Sequence, residues 1–267
     1  MTKDELLEGA TAATTGLELW QLLLRYCATQ GIDRVSYHHH GVDRHWGSAV
    51  NYADPEALRE VMDDVAMSPH SGFHIVAHGF PRDWVETYVG DRLYEIDPIP
   101  ALARRTADPF LWSDTAALTR LAEDQAAYLE SLEGSDMGDG VAIQVFGPNM
   151  RHGYVGFGFG KTPRKLSAAQ LAEFQIVAQL LHLRACTLIE ERNRTDADLS
   201  PREREVLTWL ARGKSKSVTA EILHISVHTV DTTVRRIFRK LGVSDRTSAV
   251  MKAVNCGFIP AMSADVT

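Results

Sequence analysis

Within FPRDWVETYVGDRLYEIDPIP, residues 80–100, an indole (Trp84) and a phenol (Tyr88) stand one helical turn apart, and the pair Asp97-Pro98 follows. The two aromatics carry an N–H and an O–H on apolar bodies, and the carboxylate beside them sits in a run suited to burial. Two readings of these letters stay open. Trp84 and Tyr88, at i and i+4, can face a core together, with Asp97 capping a helix that starts at Pro98. The same polar tips can instead belong to a pocket, because a buried carboxylate must find donors.

Other residues with chemical reach are the run His38, His39 and His40, followed by His45, His70, His74 and His78. On a strand His38 and His40 share a face, yet no cysteine or acid stands at a ligand-like interval. The run is therefore read as polar strand or loop residues, and no metal is expected. His74 and His78 can line a pocket. Cys27, Cys186 and Cys256 lie far apart without CxxC spacing, which suits thiols in a reducing cytoplasm. There is no nucleophile elbow, HExxH, phosphate-binding glycine loop or dinucleotide fingerprint. No catalytic residue and no cofactor is assigned, and the chain is not expected to be an enzyme.

The elements that must position these residues read as mixed α/β over the first 190 residues or so. GLELWQLLLRYCATQG (16–31) has helical spacing and stops at a glycine; RVSYHHH, GFHIVAHG, 141–147 and 153–160 read as strands, the last two joined as a hairpin through PNMRH. Helices are expected over 55–66, 81–90, 117–134 and, capped by Ser167, from there to Arg194. This is an α+β pattern, an α-β-α sandwich around an antiparallel sheet. The polar run after it marks a linker at 193–198, between a first domain at 1–192 and a second at 199–267.

The net charge of −7 hides an asymmetry. From Leu199 to Pro260 there are 11 Lys and Arg against 5 Asp and Glu, while the remainder carries 17 against 30. No apolar run is long enough to span a bilayer, and MTKDELLEGA lacks a secretion signal, so a cytoplasmic protein without membrane attachment is expected. The basic region reads as four short helices. Ser200, Pro201 and Glu203 start the first; the third, after Ser226, places Val227, Val230, Val234, Ile237 and Leu241 inward. Its other face offers His228, Thr229, Asp231, Thr232 and Arg235 to base edges, and Arg236, Arg239 and Lys240 to phosphates, with Lys214 a further contact from the preceding turn.

The motif LSPREREVLTWLARGKS…ISVHTV…RKLGVSDRTSAVMKAVNCGFI closely resembles the LuxR/FixJ-type helix-turn-helix over about sixty residues. Resemblance implies a four-helix all-α domain whose third helix enters the major groove of double-stranded DNA. It departs from the family at Val218-Thr219-Ala220, at Asp231, where Lys or Arg is common, and at Thr233. Asp231 cannot hold a phosphate but can accept from cytosine N4. Upstream, the series Trp84, Tyr88, Asp97, Pro98, Trp112 and Gly140 is similar to the hallmark series of the LuxR-type autoinducer-binding domain. That resemblance implies a receptor for an N-acyl-homoserine lactone or a similar amide-bearing signal. Trp84 would donate to the lactone carbonyl, Asp97 accept the amide N–H, Tyr88 meet the amide carbonyl and Trp112 pack on the ring. Two departures remove hydroxyls near the acyl end: Phe80, where many relatives have Tyr, and Gly156, where many have Ser or Thr. They lead to the expectation that a 3-oxo group is not specifically bound and that Gly156, Gly158 and Gly160 leave room for bulk.

The whole reads as a quorum-sensing transcription regulator of LuxR type, binding an inverted repeat as a homodimer, with RNA polymerase left open as a partner. A solo receptor for a non-lactone molecule, a ligand-independent regulator and a protein-interaction module remain the alternatives.

Overall fold

The computed structural model describes residues 1–40, 50–51, 73–133, 135–160, 164–193 and 199–260; the helix expected over 55–66 lies outside them. Contacts divide the chain into two units, Met1–Leu188 and Ile189–Thr267.

In the first unit, α1 (Lys3–Ala12) and α2 (Gly16–Gln30) each open on a capping box, Thr2 with Glu5 and Thr15 with Glu18. Gly31, at φ 62°, closes α2 in the left-handed region. Then come β1 (Arg34–His40), β2 (Val50–Asn51), β3 (Phe73–His78), α3 (Arg82–Gly90), α4 (Pro98–Ala103) and β4 (Phe110–Leu111). They are followed by α5 (Thr115–Leu118), α6 (Glu123–Glu133), β5 (Gly140–Val145), β6 (His152–Gly158) and α7 (Ala168–Asn193). The single helix expected over 117–134 is two. Thr119 turns to extended backbone at φ −147° and ψ 154°, and α6 restarts with the Gln125 side chain accepting from the Ala122 N–H. Ser167 caps α7 as its type suggests, its hydroxyl accepting from the Gln170 N–H.

The sheet runs β2-β3-β1-β6-β5-β4. All its pairings are antiparallel except β2 with β3. Because successive side chains alternate, each strand serves two cores. Val35, Val76, Val141, Ile143, Val145, Val155 and Phe157 pack with Leu19, Trp20, Leu23, Phe174, Val177 and Leu181 of α2 and α7. On the other face Ala77, Ala142 and Tyr154 meet Phe80, Ile99, Leu102, Trp112 and Leu132. The expected α-β-α layering follows from this division, and the second face is the one that holds the 80–100 stretch.

The second unit is all-α: α8 (Pro201–Ala211), α9 (Lys216–Ile222), α10 (Val227–Leu241) and α11 (Arg246–Asn255). Side chains of Ser200, Ser215, Ser226 and Asp245 cap them in turn, and Gly242 ends α10 at φ 62°. Val230, Val234, Ile237 and Leu241 are buried with Val206, Leu207, Leu210, Ala249 and Ala253. Val227 departs from the expected inward stripe. It is 48% exposed, because as the first residue of α10 it projects past that core. Glu203 is buried, and its carboxylate both completes the α8 capping box and accepts from Lys240 Nζ at 2.7 Å. Burial pushes this carboxyl up, but Lys240 and Ser200 outweigh it and hold it below the usual range.

Gly140 shows how tightly the sheet and its cover meet. A Cβ there would lie 2.5 Å from the Phe157 carbonyl oxygen and 2.7 Å from the Trp112 ring. Gly140→Ala should therefore destabilise the first unit by about 2 kcal/mol, in the range of overpacked cores. A urea titration followed by tryptophan fluorescence would show the lowered midpoint, and an unchanged midpoint would mean that Trp112 yields freely.

Candidate functional site

Between the second face of the sheet and α3, α4 and α6 lies a cavity of about 60 Å³. Trp84 and Tyr88 reach it from α3, Asp97 from the start of α4, Tyr128 from α6, Trp112 from a 3-10 turn, and Ser36, His38 and Tyr154 from the sheet. Phe80, Trp84 and Tyr88 form a stack, with ring centroids 5.4 and 4.7 Å apart and planes 24° and 23° from parallel. The four-residue spacing makes this stack, since each ring lies over the one a turn before it.

Both readings of Asp97 hold together. Oδ1 caps α4, accepting the Ile99 N–H at 2.9 Å, and Pro98 is buried at the first helical position. Oδ2 accepts from the Tyr88 hydroxyl at 2.9 Å and from Tyr128 at 3.3 Å. Burial pushes the carboxyl up to about 6, against the downward pull of the Ile99 N–H, the two tyrosines and Arg104. Burial and the neighbouring carboxylate in turn push Tyr88 and Tyr128 well above the usual phenol range.

Trp112 is fixed from behind. The N–H and hydroxyl of Ser113 donate to the Asp139 carboxylate at 3.1 and 2.8 Å, and Asp139 also accepts the Gly140 N–H. This staple lays the indole over Gly140 and Gly158, whose added Cβ atoms would meet its ring at 2.7 and 3.0 Å. The buried Nε1 of Trp112 has no hydrogen-bond partner among the described residues. Gly156 is filled in a similar way: its Cβ would come within 2.7 Å of the Tyr154 hydroxyl and 2.8 Å of Ser36 Oγ. Gly160, at φ 62°, has the Arg34 guanidinium 3.0 Å from its Cβ position. The room expected at 156, 158 and 160 is thus occupied by the protein's own side chains. Phe80, Trp84, Tyr88, Asp97 and Trp112 line the cavity, while Pro98, Gly140 and Gly156 are not among its lining residues. Ser36, His38, Tyr128 and Tyr154 are the polar members that sequence reasoning missed. Strand alternation in RVSYHHH and YVGFGFG was the only signal for three of them.

The histidine run divides between the two faces. His38 lies against Tyr154, ring centroids 4.8 Å apart, on the cavity side. On the other side His39, His182 and Cys186 bring ligand-type atoms within 4.8 Å of one another, all three buried. There the Tyr37 hydroxyl bridges His39 Nδ1 and His182 Nδ1 at 3.0 and 2.8 Å, and His182 Nε2 meets the Arg151 carbonyl at 2.8 Å. Both ring nitrogens of His182 are engaged, and burial lowers its pKa to about 4, so it is a neutral link between β1 and α7.

In the second unit His228, Thr229, Thr232, Arg235, Arg236, Arg239 and Lys240 are exposed on α10, and Lys214 is exposed after α8. Asp231 is not idle on this face. It pairs with Lys216 of α9 and with Arg235, the latter at 2.7 Å, and these cations and His228 hold its carboxyl below the usual range, the Lys216 contact most strongly. An exposed pair of this kind contributes little stability, but it ties the orientation of Arg235 to that of Lys216. The ammonium of Lys240 is engaged by Glu203.

Family models match the chain in two places: the autoinducer binding domain over residues 64–185, and bacterial regulatory proteins of the luxR family over residues 197–253. The chain is 32% identical over 186 residues to the quorum sensing-dependent transcriptional regulator RpaR of Rhodopseudomonas palustris, covering 69% of this chain and 74% of that protein. It is 29% identical over 183 residues to the transcriptional activator BjaR1 of Bradyrhizobium diazoefficiens, covering 67% and 74%. Its fold is similar to the crystal structure of Escherichia coli SdiA, at a TM-score of 0.69 and 19% identity over 97% of this chain and 98% of that one. No helix among the described residues is long and apolar enough to cross a membrane.

The raised Asp97 pKa has a consequence for stability. From about pH 4 to pH 6 the folded unit keeps a proton on Asp97 that the unfolded chain has released. That stabilisation is full below the unfolded pKa and is lost as pH rises through the folded one. Asp97→Asn keeps an oxygen for the α4 cap and removes the charge. Paired thermal melts of ligand-free protein should show the variant gaining on the parent as pH rises from about 4 to 7. Parallel pH profiles for the two proteins would contradict the assignment.

Proposed function

The chain belongs to the LuxR family of quorum-sensing transcription regulators, and on that premise we propose that it binds an N-acyl-homoserine lactone or a similar amide-bearing signal and reads an inverted-repeat DNA site as a homodimer. The observation that carries the ligand half is the Asp97 carboxylate, buried at the cavity between Tyr88 and Tyr128 with Trp84 stacked alongside. Asp97 Oδ2 accepts the signal's amide N–H. The Tyr88 hydroxyl meets the amide carbonyl, the Trp84 N–H donates to the lactone carbonyl, and Trp112 covers the ring. Such a pocket, mostly apolar with a few placed polar groups, is typical of small-molecule sites. The cavity of about 60 Å³ is smaller than such a ligand, so binding spreads the aromatic stack and fills the core of the unit.

For the DNA half, the support is the exposed polar and basic face of α10 behind a helix-turn-helix. Thr229, Thr232 and Arg235 face base edges, and Arg236 and Arg239 face phosphates, with Lys214 and Lys240 adding positive charge. A twofold dimer places two such helices about one helical turn of DNA apart, or a multiple of it. A regulator of this kind acts in the cytoplasm.

Two measurements test the halves separately. Calorimetric titration of the purified chain with N-octanoyl-homoserine lactone should show binding, and Trp84→Phe, which keeps the stack and loses the N–H, should weaken it about tenfold. Absence of binding by a folded chain would refute the receptor reading. In gel-shift assays Arg235→Ala should lower affinity for the specific site by about tenfold or more and for unrelated DNA much less. Equal losses on both would reassign Arg235 to the phosphates.

A further inference from the structure

Sequence spacing gives the histidine run no ligand partner, but the fold supplies two. His182 and Cys186, one turn apart on α7, present their side chains on the same face of that helix. Strand alternation turns His39 of β1 toward them and away from the cavity that His38 lines. Cys186 Sγ stands 3.5 Å from His182 Nε2, and a ring nitrogen of His39 lies within 4.8 Å of ligand atoms on both.

A fourth donor meets them. The Arg151 carbonyl oxygen is 2.8 Å from His182 Nε2 and 3.8 Å from Cys186 Sγ. Oxygen, nitrogen and sulfur at these separations can all stand about 2.0 to 2.3 Å from one central ion, the bond lengths of zinc to such donors. Glycines keep that place clear. A Cβ at Gly147 would stand 2.2, 2.7 and 2.9 Å from the Arg151 oxygen, Cys186 Sγ and His182 Nε2, and one at Gly153 would come within 3.1 Å of the His182 ring. His39, Arg151, His182 and Cys186 are all buried.

The hydroxyl beside the cluster suits the ligating tautomers. A histidine bound through Nε2 keeps its proton on Nδ1, and the Tyr37 oxygen lies 2.8 and 3.0 Å from the Nδ1 atoms of His182 and His39. With two lone pairs it accepts from both, the kind of outer contact that orients metal-bound imidazoles.

We propose that this cluster binds a single zinc-type cation, held by His39 and His182 through Nε2, by Cys186 as thiolate and by the Arg151 carbonyl. Imidazole with thiolate is the donor set of a borderline-soft transition metal, not of magnesium or calcium. On binding, Cys186 releases its thiol proton to solvent, and His182 shifts its own from Nε2 to Nδ1. The ion clips β1, the β5–β6 connection and α7 together on the sheet face opposite the cavity, whatever the cavity binds.

Titrating cobalt(II) into the chelator-treated full chain tests this. Cobalt bound to thiolate gives a charge-transfer band in the near ultraviolet, and a tetrahedral ion gives intense visible bands. One equivalent of cobalt should produce both, and one equivalent of zinc should abolish them. Cys186→Ser should lose the charge-transfer band, whereas the double variant Cys27→Ser, Cys256→Ser should keep it. The chain has three cysteines, so a band kept in the double variant assigns it to Cys186 even if Cys186→Ser does not fold. Tyr37→Phe should keep the band and weaken cobalt binding at least about tenfold. A parent chain without the charge-transfer band, a band that survives Cys186→Ser or is lost with Cys27 and Cys256, or affinity untouched by Tyr37→Phe overturns the inference. His39, His182 and Cys186 would then be a hydrogen-bonded packing cluster.

Discussion

Asp97 carries its carboxylate inside a wall of aromatic rings, and the elements around it are arranged by the need to keep both oxygens supplied with donors. One oxygen starts α4; the other is shared by a tyrosine from α3 and a tyrosine from α6. Remove the carboxylate's partners and three helices lose their common point. Supply them fully, and the charge still sits where burial disfavours it, as its raised pKa records. The unit is thus held in a state that the proposed amide ligand would improve, and through which that ligand would be coupled to the fold.

The opposite wall of the cavity is shaped by smallness. Gly140 and Gly158 lie beneath the Trp112 indole, and Gly156 makes way for Tyr154 and Ser36. These glycines do not provide conformations that other residues cannot reach. They provide close approach, so that large side chains with polar tips lie directly on the sheet. A ring pressed against the backbone has few rotamers left, which would lower the entropic cost of binding the proposed ligand.

Much of this was legible in the sequence, and the parts that were not share a cause. The first and third helices of the basic unit announce themselves through Ser200, Pro201 and Glu203 and through Ser226, because caps act within a few residues of their own position. The Trp84, Tyr88 and Asp97 group was legible for the same reason, being spaced along one helix and the turn after it. Tyr128, Ser36 and Tyr154 were not, since their meeting depends on strand register and on where α6 lies. His182 and Cys186 illustrate the point again. Their i, i+4 spacing was visible, but nothing in the chain order announced that His39 and Tyr37 would face them. The break between α5 and α6 was missed because the helical pattern runs on through Thr119, where the backbone turns extended.

The central claim is that ligand completes the polar core around Asp97. Amide hydrogen exchange measured with and without bound lactone tests it most directly, because α3 and α4 hang on that carboxylate. The account predicts that exchange across residues 82–103 slows by an order of magnitude or more when ligand is bound. Unchanged exchange in that stretch, with ligand bound in the same sample, would contradict it.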